Sequence, residues 1–372
     1  MYRLDPVWTF KRPIRQDEIF SSWLLRVARA HGSQLHTFCD ISIGKQEIWT
    51  RDIDISAPSS LLQKCAKLSN KSPETVEETT LQQAVRRFHP DGRRASFTPW
   101  ILNLGIYHRT RTSPGWQFCP DCWEENDPYF SKTWRLAFMT HCDRHPETQL
   151  VDRCTHCEAL IVPHRTPKLD FRLCHACHQR VDVHHVSINH DESDWMQEFL
   201  LALFRGDEYG RNFLEGSNWF SADKNKNNFL TDRFLLDLRI LLMDLRLIQS
   251  TRNPREQIKG KAERQVSQLF EHSSIQQRRA FLKSLGKACY SGPEGLLHWL
   301  SISDVTQRQL SMLRYSSGML QLLSRLPGGM VSSKSKKQDL IHKLQALRLK
   351  HADNLAAYRV NRSEVFFKVM VS

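Results

Sequence analysis

The sequence predicts a mainly α-helical fold with a middle segment of small β ribbons, and three observations support this prediction. Apolar residues recur at helical spacing before residue 114 and again after residue 186. Most of the cysteines lie between residues 115 and 185, in a stretch that is also rich in histidine. Together these patterns predict an N-terminal helix-turn-helix-like helical domain (1–114), a cysteine-rich ribbon domain (115–185) and a C-terminal helical domain (186–372).

The N-terminal part contains four predicted helices. In Asp17–Ala30 the apolar residues follow a helical repeat, and Gly32 then ends the helix as a C-cap would. Two short helices joined by a glycine turn fit a helix-turn-helix and a small helical bundle equally well. The other three predicted helices are Ser33–Phe38, Pro58–Leu68 and one that opens at Ser72-Pro73.

A basic stretch follows these helices. It holds six arginines against the single acid Asp91, with Phe97, Trp100 and Tyr107 interleaved. Arginine grips phosphate and aromatic rings stack on bases, so these arginines are candidate nucleic-acid contacts. The alternative is a solvated basic surface whose aromatic rings face the core. The candidates are Arg86, Arg87, Arg93, Arg94, Arg109 and Arg111.

Helical periodicity dominates the C-terminal part but specifies no chemistry. The predicted helices are Trp195–Phe204, Phe229–Ile248, Arg255–Phe270, Gln276–Cys289 and Gln307–Leu326. Pro327-Gly328-Gly329 breaks the pattern, and a basic helix follows that begins near Lys334, Lys336 and Lys337.

The charge and the termini limit the class of protein. A formal net charge of +13 favours polyanionic partners, of which nucleic acid is the usual one. The first residues lack the apolar core of a signal peptide, and no long uncharged apolar stretch occurs, so we expect a cytoplasmic protein with no membrane partner. In a reducing compartment the cysteines are not expected to form disulfides.

Four pairs of metal-ligand residues stand in order in the middle of the chain. Each pair has two intervening residues, and the pairs are Cys119/Cys122, Cys142/His145, Cys154/Cys157 and Cys174/Cys177. Gaps of 19 and 16 residues within the first and second halves match the usual separation of zinc knuckles. One tight turn presents two ligands to a tetrahedral ion, and a second turn completes the site. The spacing therefore predicts two structural Zn²⁺ ions.

Sequential pairing predicts a Cys₃His site followed by a Cys₄ site, although a cross-braced pairing would use the same residues. Either arrangement fills the tetrahedron and excludes a catalytic water. The neighbouring histidines are interpreted as surface groups or as supports of the ligands: His141, His156, His175, His178, His184, His185 and His190.

Enzyme chemistry finds little support in the sequence. His156-Cys157-Glu158 matches the letters of the zinc deaminase motif, but Cys157 belongs to a knuckle and the downstream pair lacks the required proline. Phosphate-loop, nucleophile-elbow and metalloprotease motifs do not occur. The carboxylates of a nuclease or transposase triad can be far apart in the sequence, so a motif search does not find them. We nevertheless expect a protein that is not an enzyme.

Residues 118–161 resemble the TniQ/TnsD family of transposition target-selector proteins. The matching features are the Cys119-Pro120-x-Cys122 knuckle, Tyr129-Phe130, the block Trp134-Arg135-Leu136, Cys142-x-x-His145, Leu150, Arg153, and Cys154-x-x-Cys157. The N-terminal part fits through Pro13, Asp17-Glu18, Ser22, Trp23, Leu24, Arg26 and Ala30-His31-Gly32, although His31 stands where the family often has Asn. The resemblance covers roughly residues 10 to 180.

This resemblance implies a helix-turn-helix start and a non-catalytic adaptor of a bacterial transposon. Such adaptors mark the insertion site and pass the signal to an AAA+ ATPase regulator of transposition. Some members bind target DNA directly, and others ride on a CRISPR effector complex with its guide RNA, in some cases as a homodimer. A zinc-ribbon helix-turn-helix transcription regulator is the remaining alternative.

Overall fold

The computed structural model describes residues 7–44, 48–88, 98–107, 110–182, 186–188, 194–208, 210, 212, 227–252 and 270–328. The chain divides into two compact units, the first made of residues 1–191 with 259–279 and the second of 192–258 with 280–372. The described part is mostly helical with very little strand, which confirms the predicted fold class. The predicted domain boundaries near residues 114 and 185 stay a prediction.

Short helices build the N-terminal part of the first unit. They are α1 Phe20–Ala30, α2 Leu35–Ser42, α3 Ile53–Ser56, α4 Ser59–Ser69, α5 Pro73–Glu77 and α6 Gln82–Phe88, with a 3-10 turn at Ile48–Thr50. Strands β1 Ile106–Tyr107 and β2 Thr110–Arg111 form one antiparallel pair, in which Ile106 lies opposite Arg111. The four predicted helices are confirmed with shifted ends, whereas α3 and α6 were not expected.

Helix α1 is the centre of this part, and nearly all of its residues are buried. It begins at Phe20 rather than at Asp17, because Asp17 has a φ of 55° and its carbonyl accepts a hydrogen bond from the Lys132 amide. A Schellman motif ends the helix: the Gly32 amide donates to the Arg29 carbonyl and the Ser33 amide to that of Ala28. Gly32 has a φ of +62°, which glycine adopts without strain.

The cysteine-rich segment has little regular structure. It contains α7 Pro120–Glu125 and 3-10 turns at Thr133–Arg135, Pro163–Arg165 and Pro167–Leu169. Its ribbons are isolated antiparallel bridges, such as Phe118 with Val151 and Leu173 with Arg180. Aromatic packing supports them, since the Trp123 ring stacks on Phe118 at 3.8 Å between centroids and meets Phe130 edge-on.

Within the second unit, helices pack around buried Phe199, Phe234 and Leu285. The described elements are α8 Trp195–Arg205, α9 Asn227–Arg252, α10 Ile275–Cys289, α11 Gly292–Ile302 and α12 Ser317–Leu323, with 3-10 turns at Gln307–Gln309 and Met312–Arg314. The first turn of α10 belongs to the first unit, as does the 3-10 turn Phe270–His272. The predicted helices at Trp195, Phe229 and Gln276 are confirmed, whereas α11 was not expected.

The predicted helix Gln307–Leu326 is wrong as one continuous helix, although α12 Ser317–Leu323 lies within it. Two buried carboxylates of α9 hold the segment before α12 as separate turns. Asp244 accepts hydrogen bonds from the Ser311 amide at 2.7 Å and from the Tyr315 hydroxyl at 2.7 Å. Asp237 accepts from the amide of Ser316, whose hydroxyl caps α12. These bonds satisfy backbone groups that a continuous helix would have paired internally.

Two other predicted helices fall outside the described residues. Only Phe270 of Arg255–Phe270 is described, and the basic helix near Lys334, Lys336 and Lys337 lies entirely outside. Among the described helices, none combines the length and the apolar character that are needed to cross a bilayer.

Candidate metal centres

The structure gathers the first four predicted ligands into one cluster. The sulfurs of Cys119, Cys122 and Cys142 and a ring nitrogen of His145 all lie within 4.8 Å of one another. Cys119 caps the N-terminus of α7 and Cys122 lies in its first turn, so a single helix start presents both sulfurs. Cys142 and His145 come from a turn that the hydrogen bond from the Cys142 amide to the Thr148 carbonyl closes at 3.0 Å.

Distances within this cluster fit a tetrahedral ion. A zinc–sulfur bond of about 2.3 Å and a zinc–nitrogen bond of about 2.0 Å imply tetrahedral edges of about 3.8 Å between sulfurs and about 3.5 Å between sulfur and nitrogen. The observed separations are 3.5 Å between the sulfurs of Cys122 and Cys142, and 3.5 Å between the Cys119 sulfur and Nδ1 of His145. The cluster therefore has the size of a zinc site.

His145 carries the second signature of a metal ligand. Its Nδ1 faces the sulfurs, at 3.2 Å from that of Cys122, while Nε2 lies 3.0 Å from Oε1 of Glu125. A carboxylate on the far nitrogen sets the tautomer and the orientation of a ligating imidazole. Glu125 was not predicted, and the signal that could have found it is a glutamate one helical turn after Cys122.

The sulfurs of the first cluster cannot all ionise without a cation. Hydrogen bonds from Cys119 and Cys122 lower the pKa of Cys142 to about 2, so this sulfur holds the negative charge. The same contacts and burial raise the pKa of Cys119 well above its ordinary value. Three thiolates within this distance require a nearby positive charge, which a divalent ion would supply.

Cys154, Cys157, Cys174 and Cys177 form the second cluster, also within 4.8 Å. The sulfurs of Cys154 and Cys177 are 3.6 Å apart and those of Cys157 and Cys174 are 3.7 Å apart, again close to a tetrahedral edge. The eight predicted ligands thus come together sequentially rather than cross-braced. Both clusters are compatible with two zinc ions.

Two equivalent turns build the second cluster. The Cys154 amide donates to the Ala159 carbonyl and the Cys174 amide to that of Gln179, both at 2.8 Å. Glu158 and His178, each next to the second cysteine of its pair, have left-handed φ values of 57° and 61°. Backbone amides point at the sulfurs, as the 3.3 Å contact from the Ala176 amide to Cys174 shows. Amide donors stabilise thiolates, the form that binds metal.

The neighbouring histidines do not join these clusters. The described members of that set, His141, His156, His175 and His178, stand outside both groups of ligands. His141 is buried, and its backbone pairs with Gln149 in a bridge. The predicted non-ligands His184, His185 and His190 lie outside the described residues.

The Trp134-Arg135-Leu136 block is buried rather than displayed. Each of its side chains is at most 1% exposed. The Arg135 guanidinium pairs with Asp52 at 2.6 Å and with Asp54 at 3.2 Å. It also donates to the Leu102 carbonyl at 2.9 Å. The block therefore holds the first ribbon (residues 118–151, which carry the first cluster) against the start of α3.

A second buried network joins α1 to the same ribbon. Arg26 pairs with Glu18 at 2.7 Å, and the Ser22 hydroxyl donates to Glu18 at 3.0 Å. The Phe130 amide then donates to the Ser22 hydroxyl, and the Ile19 amide to the Phe130 carbonyl. Residues on both sides of the predicted boundary at residue 114 take part, so the helices and the first ribbon support one another.

The candidate nucleic-acid residues have different surroundings. Arg86 and Arg87 lie on α6, where Arg86 pairs with Glu77 at 2.8 Å and both side chains are exposed. Arg111 turns inward and donates to the Trp49 carbonyl at 3.1 Å. Arg93, Arg94 and Arg109 lie outside the described residues, as does Phe97. The nucleic-acid role of all six arginines stays a prediction.

A helical module joined to a segment with a Cys₃His cluster is consistent with a zinc-ribbon protein. Residues 10–148 match the family model named TniQ, and they contain both buried networks and the first cluster. This segment of the chain is therefore similar to the TniQ family, and a TniQ domain implies a transposon-associated role in target selection or DNA binding. No curated protein matches the chain.

Proposed function

We propose that this chain is a non-catalytic target-site adaptor of a bacterial transposon. It links a target, either DNA or a CRISPR RNA-guided effector complex, to the AAA+ regulator ATPase that recruits the transposase. The match of residues 10–148 to the TniQ family carries this proposal. The basic character of the chain, with its formal net charge of +13, supports a nucleic acid or a nucleoprotein as the target.

Each cluster, we further propose, holds one structural Zn²⁺ ion. The ligands of the first are Cys119, Cys122, Cys142 and His145, and those of the second are Cys154, Cys157, Cys174 and Cys177. The ions would supply folding free energy, because the described part of this segment has few backbone ladders to stabilise it. Four protein ligands complete a tetrahedron, which supports a structural rather than a catalytic ion.

The buried position of the Trp134-Arg135-Leu136 block bears on how the adaptor works. Its side chains are at most 1% exposed, so the block acts through the fold rather than by touching a partner. Partner contacts would then fall on the exposed faces that the block and the zinc ions hold in place. The target complex and the ATPase would bind different faces of one rigid scaffold.

Sequencing of insertion junctions tests the proposal. Cells would carry the transposon, its transposase and AAA+ regulator, and either this chain, no adaptor, or the Cys142→Ser variant. We expect insertions to concentrate at one target only with the intact chain. An exposed variant, Lys168→Gln, serves as a control that should leave targeting unchanged. An insertion pattern that is the same with and without the chain would contradict the proposal.

A further inference from the structure

Two arginines, an imidazole and an indole side chain come together where the second ribbon meets the N-terminal helices. This group, the Arg111 cluster, consists of Trp49, Arg111, His164 and Arg165. Nη2 of Arg111 donates to the Trp49 carbonyl at 3.1 Å. The Trp49 ring stacks on His164 with centroids 5.3 Å apart and planes 14° apart. Three separate chain segments therefore converge here, and the 3-10 turn Pro163–Arg165 brings two of the residues.

Arg111 has hydrogen-bond donors without acceptors. Its Nε and Nη1 are buried, and in the part of the chain that the structure describes neither has a hydrogen-bond partner. A buried donor left unpaired is unfavourable, so folded proteins nearly always provide an acceptor. An incoming anion would provide one at this position.

Burial and neighbouring arginines lower the pKa of both His164 and Arg111. Burial and the charges of Arg111, Arg165, His36 and His175 lower the pKa of His164 to about 3. Burial also lowers the pKa of Arg111; Asp52 opposes this effect, and the charge of Arg165 adds to it. Asp52 already accepts a hydrogen bond from Arg135 at 2.6 Å, so its charge is shared between two arginines.

We propose that the Arg111 cluster binds a phosphodiester group of a nucleic acid. Arginine offers a planar set of donors that matches phosphate geometry, and Arg165 is exposed where the strand could reach it. His36 lies on α2 with its side chain exposed, so a bound strand would run beside this helix. The inference deepens the proposed adaptor function by assigning a nucleic-acid contact to the second ribbon, which sequence reasoning left without a partner.

A nucleic acid fits this cluster better than an acidic protein does. The site combines a partly buried guanidinium with a half-buried imidazole, which suits one compact anion rather than a row of flexible carboxylates. The high positive charge of the chain would also hold the flanking phosphates. DNA and RNA present the same phosphodiester, so the experiment must distinguish them.

Fluorescence anisotropy on the full zinc-loaded chain tests the site. Labelled 20-base-pair DNA and a labelled 20-nucleotide RNA strand (lengths of about one site,) would each be titrated at several salt concentrations. The variants are Arg165→Gln and Arg111→Lys. Arg180→Gln is the matched control, because it removes an exposed positive charge from the same ribbon outside the Arg111 cluster. Arg180 pairs with Asp182 at 2.8 Å. Zinc content and thermal unfolding would show that each variant is folded.

We expect Arg165→Gln to reduce the slope of log affinity against log salt by about 0.9 on DNA or about 0.7 on single-stranded RNA. Arg111→Lys should weaken binding several-fold although it keeps the charge, whereas Arg180→Gln should change neither quantity. Equal effects of Arg165→Gln and Arg180→Gln would overturn the proposal, as would a wild-type chain that binds neither probe and prefers an acidic protein. If either of these results is found while targeted insertion still depends on the chain, the proposed phosphate site is refuted and the proposed adaptor function is not.

Discussion

Replacing Arg135 by methionine tests whether the Trp134-Arg135-Leu136 block stabilises the fold through its buried contacts. Arg135 is 1% exposed and faces two carboxylates, Asp52 and Asp54, at 2.6 and 3.2 Å. Its guanidinium also lies 5.2 Å from the centre of the Trp116 ring. Methionine fills a similar volume but removes the charge and all donors, so the carboxylates lose their partner.

The magnitude follows from these distances. At an effective dielectric constant of about 20, a unit charge pair about 3 Å apart gains about 5 kcal/mol, much of which desolvation offsets. Removing one partner of a buried pair therefore costs about 3–5 kcal/mol. Burial and Asp52 already raise the pKa of Asp54 to about 7, so Asp54 can take up a proton and limit the loss. We expect the free energy of unfolding to fall by about 3 kcal/mol.

Urea unfolding at neutral pH, followed by tryptophan fluorescence, measures this change. Hydrogen exchange should localise it to the amides of Leu102 and Ala137, which bond across the bridge beside Arg135. Arg86→Gln is the control, because it breaks an exposed pair with Glu77 and should cost less than about 0.5 kcal/mol. In a double-mutant cycle, Asp54→Asn should recover part of the loss from Arg135→Met.

A loss below about 1 kcal/mol for Arg135→Met would refute this reasoning, because a solvated surface pair costs that little. Additive effects of Arg135→Met and Asp54→Asn would do the same, since residues in contact are expected to couple.

Three further predictions concern the first unit. Glu125→Gln should weaken zinc binding at the first cluster about 10- to 100-fold in a chelator competition, because the amide orients His145 less well; an unchanged affinity would separate Glu125 from the site. Arg278→Met should destabilise the unit by about 2–4 kcal/mol in urea, since it strips donors from the Ala137 and Met139 carbonyls and from Gln117; a neutral effect would show that water replaces them. Asp54→Asn should flatten the pH dependence of stability. Burial raises the pKa of Asp54 from 3.8 to about 7. Its contribution to the free energy of unfolding is therefore fully present below pH 3.8 and is lost as the pH rises through about 7. The test compares the free energies of unfolding of the two proteins between about pH 5.5 and 7.5, on either side of the raised pKa. An equal fall in both proteins would contradict this assignment.

The zinc clusters are the part that the sequence predicts best. Two residues between ligands define a local turn, so the pairs can be recognised without knowledge of the fold. Glu125 escapes the same reasoning, because its contact with His145 spans 20 residues and depends on how α7 meets the next turn. Local spacing identifies ligands, whereas the groups that support them come from tertiary packing.

Helix positions were predictable and helix ends were less so. The start of α1 shifts from Asp17 to Phe20 because the residues before it pair with the ribbon. The predicted helix after Gln307 is interrupted because Asp237 and Asp244 accept hydrogen bonds from its serines. These carboxylates lie 67 to 79 residues earlier in the chain. Apolar periodicity contains neither contact, so it extends a helix through both places.

The number of charges in the basic stretch does not predict which of its arginines are paired or buried in the folded protein. Arg86 has an acidic partner, whereas Arg111 turns toward the protein interior. The residues that complete the Arg111 cluster, His164 and Arg165, lie more than 50 positions along the chain in a segment that suggested only metal binding. Only the folded arrangement brings these side chains together.

X-ray absorption at the zinc edge, combined with metal analysis of the purified chain, tests the central claim most directly. We predict two zinc ions per chain, together bound by seven sulfurs and one imidazole nitrogen, with no water oxygen at either ion. Cys142→Ser and Cys174→Ser should each lose the ion of their own cluster and retain the other. An oxygen ligand from exchangeable water, or fewer than two ions in the wild-type chain, would contradict the assignment of two closed structural sites in a non-catalytic adaptor.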